Sequence, residues 1–224
     1  LIVLAENCED GTDEWLIENS EKWGIEYYIE KNNNPMGIGG GMNYCAERVK
    51  TKFINFLHAD FYVAKNWDLE LLKIFKKYPD ERMWVFSHRV QPDIFKDRPR
   101  PGTIFVPLDE FGEYHHNFNE KYFLEWAKEF SELNDFELRK SEGVSGLIRK
   151  EDWDYMGGND DRFAPAYWED ADLFIRMINE NFKFVLTSKS VAYHFASRSS
   201  RFPDDDLDSR PEHLAKTEQR SMQR

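Results

Sequence analysis

Cysteine is nearly absent from this chain: Cys8 and Cys45 are the only two. Two thiols build no disulfide framework, and without a CxxC spacing they build no zinc knuckle. A reducing compartment is therefore expected. Positive charge is also short. Thirty Lys and Arg stand against 42 Asp and Glu, for a net charge of -12. That balance argues against binding nucleic acid through its phosphates. An anionic nucleotide ligand would need a metal ion or helix N-termini to supply positive potential. No apolar run approaches the roughly 20 residues that span a bilayer, and no leader pattern opens the residues from Leu1 onward. No membrane span and a cytoplasmic location are the resulting expectations. No internal repeat is visible.

What the chain has is apolar and aromatic material for a sizeable core, at 41% and 16% of residues. Leu1–Ala5 reads as a buried, parallel central strand. Because that strand pattern begins at the first residue, without Met, an upstream piece is expected. Thr12 is placed to cap a helix whose apolar face is Trp15, Leu16 and Trp23. Ile25–Ile29 reads as a second strand. The loop Asn32–Pro35 and Gly37–Gly41 then feeds a helix from about Met42 to Val49. Phe53–Leu57 is a third strand, Asn66 caps a helix striped by Trp67, Leu71, Leu72 and Phe75, and Met83–Ser87 is a fourth strand. Strand and helix alternate, which argues for an α/β layered domain. From about His88 to Glu142 the pattern weakens around Pro92, Pro99, Pro101 and Pro107. Within that stretch a helix from about Asn119 to Leu133 carries Tyr122, Phe123, Trp126, Ala127 and Phe130, read as core packing. Residues 197–224 read as a charged, mobile tail.

Four motifs carry possible chemistry. Gly37-Ile38-Gly39-Gly40-Gly41 precedes a helix, where backbone amides can approach a phosphate. It lacks the strand and GxGxxG spacing of a dinucleotide fingerprint, and a plain loop is an equal reading. His58-Ala59-Asp60 follows the end of a strand, where open α/β sheets bind ligands. Its imidazole and carboxylate could converge on one divalent ion, although a local turn is the simpler reading. The pattern predicts a helix opened by Glu169-Asp170. Asp170 shares a stripe with Phe174 and Met177 and is expected to point inward, while Asp172 and Arg176 pair at i,i+4 on the outer face. His194 ends a strand over Ser190–Tyr193. It gains weight as a ligand only if Asp60 is near. His115-His116 has no metal spacing and reads as surface.

In order and spacing these pieces resemble a family 2 glycosyltransferase. Leu1–Thr12 resembles the family's second strand and its acidic DNxSxDGT-like turn. Asn34–Asp60 resembles the following Gly- and Asn-containing stretch, with His58-Ala59-Asp60 where the family carries DxD. Gly146–Arg176 resembles the segment containing GGFDE and EDxDLxxR, and Tyr193-His194 resembles the closing strand and histidine. The likeness covers most of residues 1–195.

The resemblance implies a GT-A-type fold with a mostly parallel central sheet flanked by helices. Residues 1–196 would form the catalytic domain, lacking its first strand and interrupted by an insertion over about 88–142. It implies an inverting, hexosyltransferase-type enzyme that moves a sugar from a nucleotide-diphosphate sugar to a hydroxyl of a saccharide or other acceptor. Asp170, with Glu169 beside it, would be the catalytic carboxylate. Glu6, Asp10, Gly40, Asn43, His58 and Asp60 would bind the nucleotide-sugar. Asp60, His58 and His194 would hold a divalent metal, Mn²⁺ or Mg²⁺. The chain departs from the family at His58, which replaces the first Asp of DxD, and at Glu6, which replaces the base-reading Asp. Two other readings remain open. The His58 replacement favours a non-catalytic carbohydrate- or nucleotide-sugar-binding module of the same fold, while the intact Glu169-Asp170 disfavours it. A sugar-phosphate nucleotidyltransferase ranks last, because its Gly-rich loop belongs at the first strand.

Overall fold

The computed structural model describes residues 1–93, 102–112, 114–139, 144–164 and 168–195. Pro99, Pro101 and the charged tail over 197–224 lie outside them. The described residues divide into two compact units, Leu1–Ile54 with Lys150–Glu180, and Asn55–Arg149 with residues 181–195.

In the first unit, β1 (Ile2–Glu6) and β2 (Glu26–Glu30) form a two-stranded parallel sheet. The expectation of a buried central strand does not hold among the described residues. β1 has one strand partner, Leu1 is exposed, and only Ala5 of β1 is buried. Helix α1 (Thr12–Trp23) starts without a capping bond from Thr12. Gly11 takes the N-cap position at φ 86°, and the Asp10 carboxylate instead accepts from the Thr12 amide and hydroxyl at 3.1 and 2.6 Å. Leu16 is buried, but Trp15 and Trp23 of the expected face are exposed.

Helix α2 runs over Gly37–Arg48, so the glycines form its first turn rather than a loop before it. Glycine costs a helix interior roughly 0.5–1 kcal/mol per residue relative to Ala. Two features offset this. The Glu6 carboxylate accepts from the backbone amides of Met36 and Gly37 at 2.7 and 3.1 Å, satisfying donors at the helix start. Gly39 also allows a close approach: a Cβ there would meet Cβ of Asn159 at 3.1 Å and Cβ of Glu169 at 3.2 Å. The same unit holds α5 (Lys150–Met156), a single 3-10 turn (Asp161–Phe163) and α6 (Glu169–Asn179).

Among the described residues the larger sheet has seven strands. Its main path runs β3 (Phe53–Phe56), β8 (Val144–Arg149), β5 (Met83–Pro92), β9 (Lys183–His194) and β4 (Phe61–Val63), with β6 (Thr103–Val106) on β5 and β7 (Glu137–Arg139) on β9. It is mixed rather than mostly parallel. β5 runs parallel to β9 and β6, whereas β8 runs antiparallel to β5, and β4 and β7 run antiparallel to β9. β5 and β9 are both longer than their apolar runs suggest. His88, Arg89 and Gln91 are buried within β5, so the first residues of the expected insertion belong to the sheet.

Helix α3 (Trp67–Lys77) follows Asn66, which holds the N-cap position at φ 59° without a side-chain cap bond. Helix α4 (Glu120–Leu133) is capped by Asn119, whose side chain accepts from the Tyr122 amide at 3.2 Å. Phe123 and Ala127 of α4 are buried with Val90, Phe111, Val191 and Tyr193, and Trp126 and Phe130 pack against that cluster. The stripe is core, as expected, apart from the exposed Tyr122.

Candidate functional site

The acidic start of α6 is set by an abrupt turn. Trp168 holds the N-cap position at φ 74°. The left-handed region costs a residue with a Cβ roughly 1–2 kcal/mol, and strain of this kind concentrates at functional sites. The helix then presents Glu169 and Asp170 in its first turn, the end that favours negative charge.

Their orientations reverse the expectation from the sequence. Glu169 points inward, 7% exposed, on the buried stripe it shares with Leu173 and Met177. Asp170 is exposed, and its Oδ1 accepts from the Ala171 amide at 2.7 Å. The reason is helical phase. Positions 169, 173 and 177 follow i, i+4, i+8, and with the helix starting at Glu169 that row faces the core. Phe174 is only half-buried and Ile178 is exposed.

Below this turn lies a hydrogen-bonded clamp. The Asn43 side-chain amide donates to the Asn159 carbonyl and to Asp161 Oδ1, both at 2.9 Å, and its oxygen accepts from the Asn159 amide at 2.9 Å. Arg176 pairs with Asp172 at 2.8 Å, as expected from their spacing. It also donates to the carbonyls of Met156 and Gly158, both at 2.7 Å. Two helices thus fix the loop between α5 and the 3-10 turn. Beyond it, Arg162 forks onto Asp160 and holds that carboxyl down at about 2. The Arg176 contacts with the loop were missed in the sequence, where only its i,i+4 partner was legible.

Gly158 is the tightest point of the clamp, at φ 68° with an added Cβ only 2.3 Å from Asn43 Oδ1. Gly157 also has positive φ, at 74°, but open space around its Cβ position. Gly158→Ala is expected to destabilise the protein by about 1–3 kcal/mol through combined strain and clash, and Gly157→Ala by less. Paired thermal melts check the ordering; equal losses would contradict a steric role for Asn43.

The other expected binding residues in this unit carry mostly structural bonds. Glu6 caps α2 and also accepts from Asn32 Nδ2 at 3.1 Å. Asp10 organises the start of α1, and its bonds to Thr12 lower its pKa. Gly40 lies against Met36, with a Cβ there 2.9 Å from Cβ of Met36.

In the larger sheet, β9 lies between β5 and β4, and their ends align three polar side chains. His194 sits opposite Phe61 at the end of the β4–β9 ladder. Its Nε2 lies 3.1 Å from Asp60 Oδ2, and its Nδ1 lies 2.9 Å from Gln91 Oε1. The Asp60 carbonyl accepts from the Phe195 amide at 2.9 Å, which fixes the carboxylate's backbone. His58 is exposed and stacks on the Phe61 ring with centroids 5.4 Å apart. The structure therefore joins Asp60 to His194 and does not bring in His58: among the described residues no group of three His, Cys, Asp or Glu could hold a metal ion. His115 and His116 are exposed, in agreement with their surface reading. Cys8 and Cys45 are free thiols.

The family model "Glycosyl transferase family 2" matches residues 1–141. The chain belongs to the family 2 glycosyltransferases. No curated protein matches it. Among solved structures, this glycosyltransferase domain is similar to GalNAc-T7 with UDP, GalNAc and Mn²⁺, at 15% identity and a TM-score of 0.58, covering 86% of this chain and 37% of that one. It is also similar to residues 1–349 of S. aureus TarS, at 12% identity and a TM-score of 0.52, covering 99% of this chain and 60% of that one. The same TarS segment in complex with UDP gives 11% identity and a TM-score of 0.53. These likenesses support the GT-A fold. The chain spans between about a third and three fifths of these structures' length.

The GalNAc-T7 structure was crystallised with Mn²⁺, and the spacing of the Asp60–His194 pair tests whether this chain's residues fit a divalent ion. Two ligands at roughly 2.1 Å from one ion and at right angles lie about 3 Å apart. The Asp60–His194 separation of 3.1 Å fits that, and a carboxylate with an imidazole suits a borderline divalent cation. The pair supplies two donors, fewer than the three that would make a protein-only site among the described residues. No helix among the described residues of this glycosyltransferase domain is long and apolar enough to cross a membrane.

Proposed function

We propose that this domain transfers a hexose from a nucleotide-diphosphate sugar to an acceptor hydroxyl, with inversion at the anomeric carbon. The observation that carries the reading is the exposed Asp170 carboxylate in the first turn of α6, in a chain of the glycosyltransferase family. A general base must be reachable by the proton it removes. Asp170 meets that condition and the buried Glu169 does not.

The step is a single displacement. Asp170 accepts the acceptor's hydroxyl proton, the freed oxygen bonds to the anomeric carbon, and the bond to the diphosphate breaks as the nucleoside diphosphate leaves. Glu169 anchors the helix start against α2 and so fixes the direction of its neighbour. Asp60 and His194 would hold a divalent ion, Mn²⁺ or Mg²⁺. Such an ion would offset charge developing on the diphosphate, worth several kcal/mol. Glu6, Asp10, Gly40, Asn43 and His58 belong to the donor side of this reading. Glu6, Asp10 and Gly40 shape the starts of α1 and α2, Asn43 fixes the loop after α5, and His58 is exposed beside Asp60 in sequence.

The test is nucleotide release from a panel of UDP-, GDP- and dTDP-sugars with Mn²⁺ and a panel of saccharide acceptors. Release with at least one donor, lost on chelation and in Asp60→Asn, is expected. Donor binding without release under every condition would establish the non-catalytic binding module instead.

A further inference from the structure

Gln91 was hidden in the sequence, inside a polar run of β5 that read as the start of an insertion. The structure buries it to 6% exposure at the end of that strand. Along the parallel β5–β9 ladder, Val90 is registered with Tyr193, so Gln91 and His194 come next, side by side. The antiparallel β4–β9 ladder places Phe61 opposite His194, which brings the preceding Asp60 to the other edge of the same imidazole. Three adjacent strands thus line up Gln91, His194 and Asp60 although 103 residues separate Gln91 from His194.

The chemistry of this row is directional. Gln91 Oε1 is a carbonyl oxygen and can only accept, so the proton in its 2.9 Å contact belongs to His194 Nδ1. In the neutral ring, Nε2 then carries the lone pair, and that lone pair faces Asp60 Oδ2 at 3.1 Å. At that distance the two atoms are joined either by a proton on Nε2 or by a cation that takes the Nε2 lone pair and a carboxylate oxygen. Metal-binding imidazoles commonly donate their second nitrogen to such a partner, which fixes tautomer and ring orientation.

We infer that Gln91 is a positioning residue: its side-chain carbonyl holds the Nδ1–H of His194 and thereby turns Nε2, as a lone-pair donor, toward Asp60 to share one divalent cation. This rests on the ion site of the reading above, and it assigns a role to a residue that would contact neither donor nor acceptor. A packing role alone would need only the volume of Gln91. A positioning role needs its acceptor oxygen.

Two variants separate these. Gln91→Met keeps the approximate volume and removes the oxygen; Gln91→Glu keeps an oxygen acceptor against Nδ1. Mn²⁺ is titrated into wild type and each variant by calorimetry, with no sugar donor present, and each is melted to confirm folding. Gln91→Met is expected to bind Mn²⁺ roughly 10–100-fold more weakly, while Gln91→Glu stays within a few-fold of wild type. Unchanged Mn²⁺ affinity in Gln91→Met, or a Gln91→Glu as weak as Gln91→Met, would overturn the role of Gln91 alone. A wild type that takes up no Mn²⁺ would overturn the ion site together with it.

Discussion

Asp170→Asn is expected to lower the rate of sugar transfer by about 10²–10⁴-fold, the range a positioned base contributes, while nucleotide-sugar binding changes little. The amide preserves the volume and the contact with the Ala171 amide, but it cannot take a proton. Because Asp170 is exposed at a helix start, the substitution removes no buried partner, and folding should be retained. Glu169→Gln separates the two neighbours. That side chain is buried on the Leu173–Met177 stripe, so its loss should appear first in the melting temperature. A rate that survives Asp170→Asn unchanged, in steady-state assays of nucleotide release, would remove Asp170 from the chemistry.

Acid is expected to destabilise the protein through His88. This side chain is 4% exposed, stacked on Phe130 at 5.3 Å and edge-on to Phe136 at 5.6 Å. Its Nδ1 is buried without a hydrogen-bond partner among the described residues. Burial pushes its pKa down from 6.5 to about 4. The unfolded chain therefore binds a proton that the folded chain refuses. The stabilising contribution is complete above about pH 6.5, falls away as pH drops toward 4, and is level below that. A shift of this size corresponds to about 3 kcal/mol at the acid end. In urea melts between pH 7 and 4, wild type should lose that much more stability than His88→Phe, which keeps the aromatic packing and cannot charge. Parallel pH profiles for the two proteins would rule out His88 as the source.

The alternation of strands and helices was legible because apolar runs and stripes are local signals, whereas the expected Thr12 and Asn66 caps make no side-chain cap bond. The α3, α4 and α6 assignments rest on such signals and hold in the structure. What escaped was set by partners distant in sequence. β5 continues through His88, Arg89 and Gln91 because Arg89 finds Thr103 and Gln91 finds His194, and no local pattern reveals that a polar run is satisfied. The glycines of α2 read as a loop because the carboxylate capping their helix, Glu6, lies about 30 residues earlier. At the α6 start the acidic pair itself was legible, yet which member faces inward depends on helical phase. Phase is fixed by Trp168 and by the approach of Gly39, neither of which local spacing encodes. The Asp60–His194 pair follows from strand order. The family resemblance had grouped it with His58, which the structure leaves out of the pair.

The most direct measurement of the account is the anomeric configuration of the first product formed, read by proton NMR before any mutarotation or further reaction. With Asp170 as the sole base of a single displacement, the new linkage carries the configuration opposite to that of the donor. A product that retains the donor's configuration would contradict the mechanism.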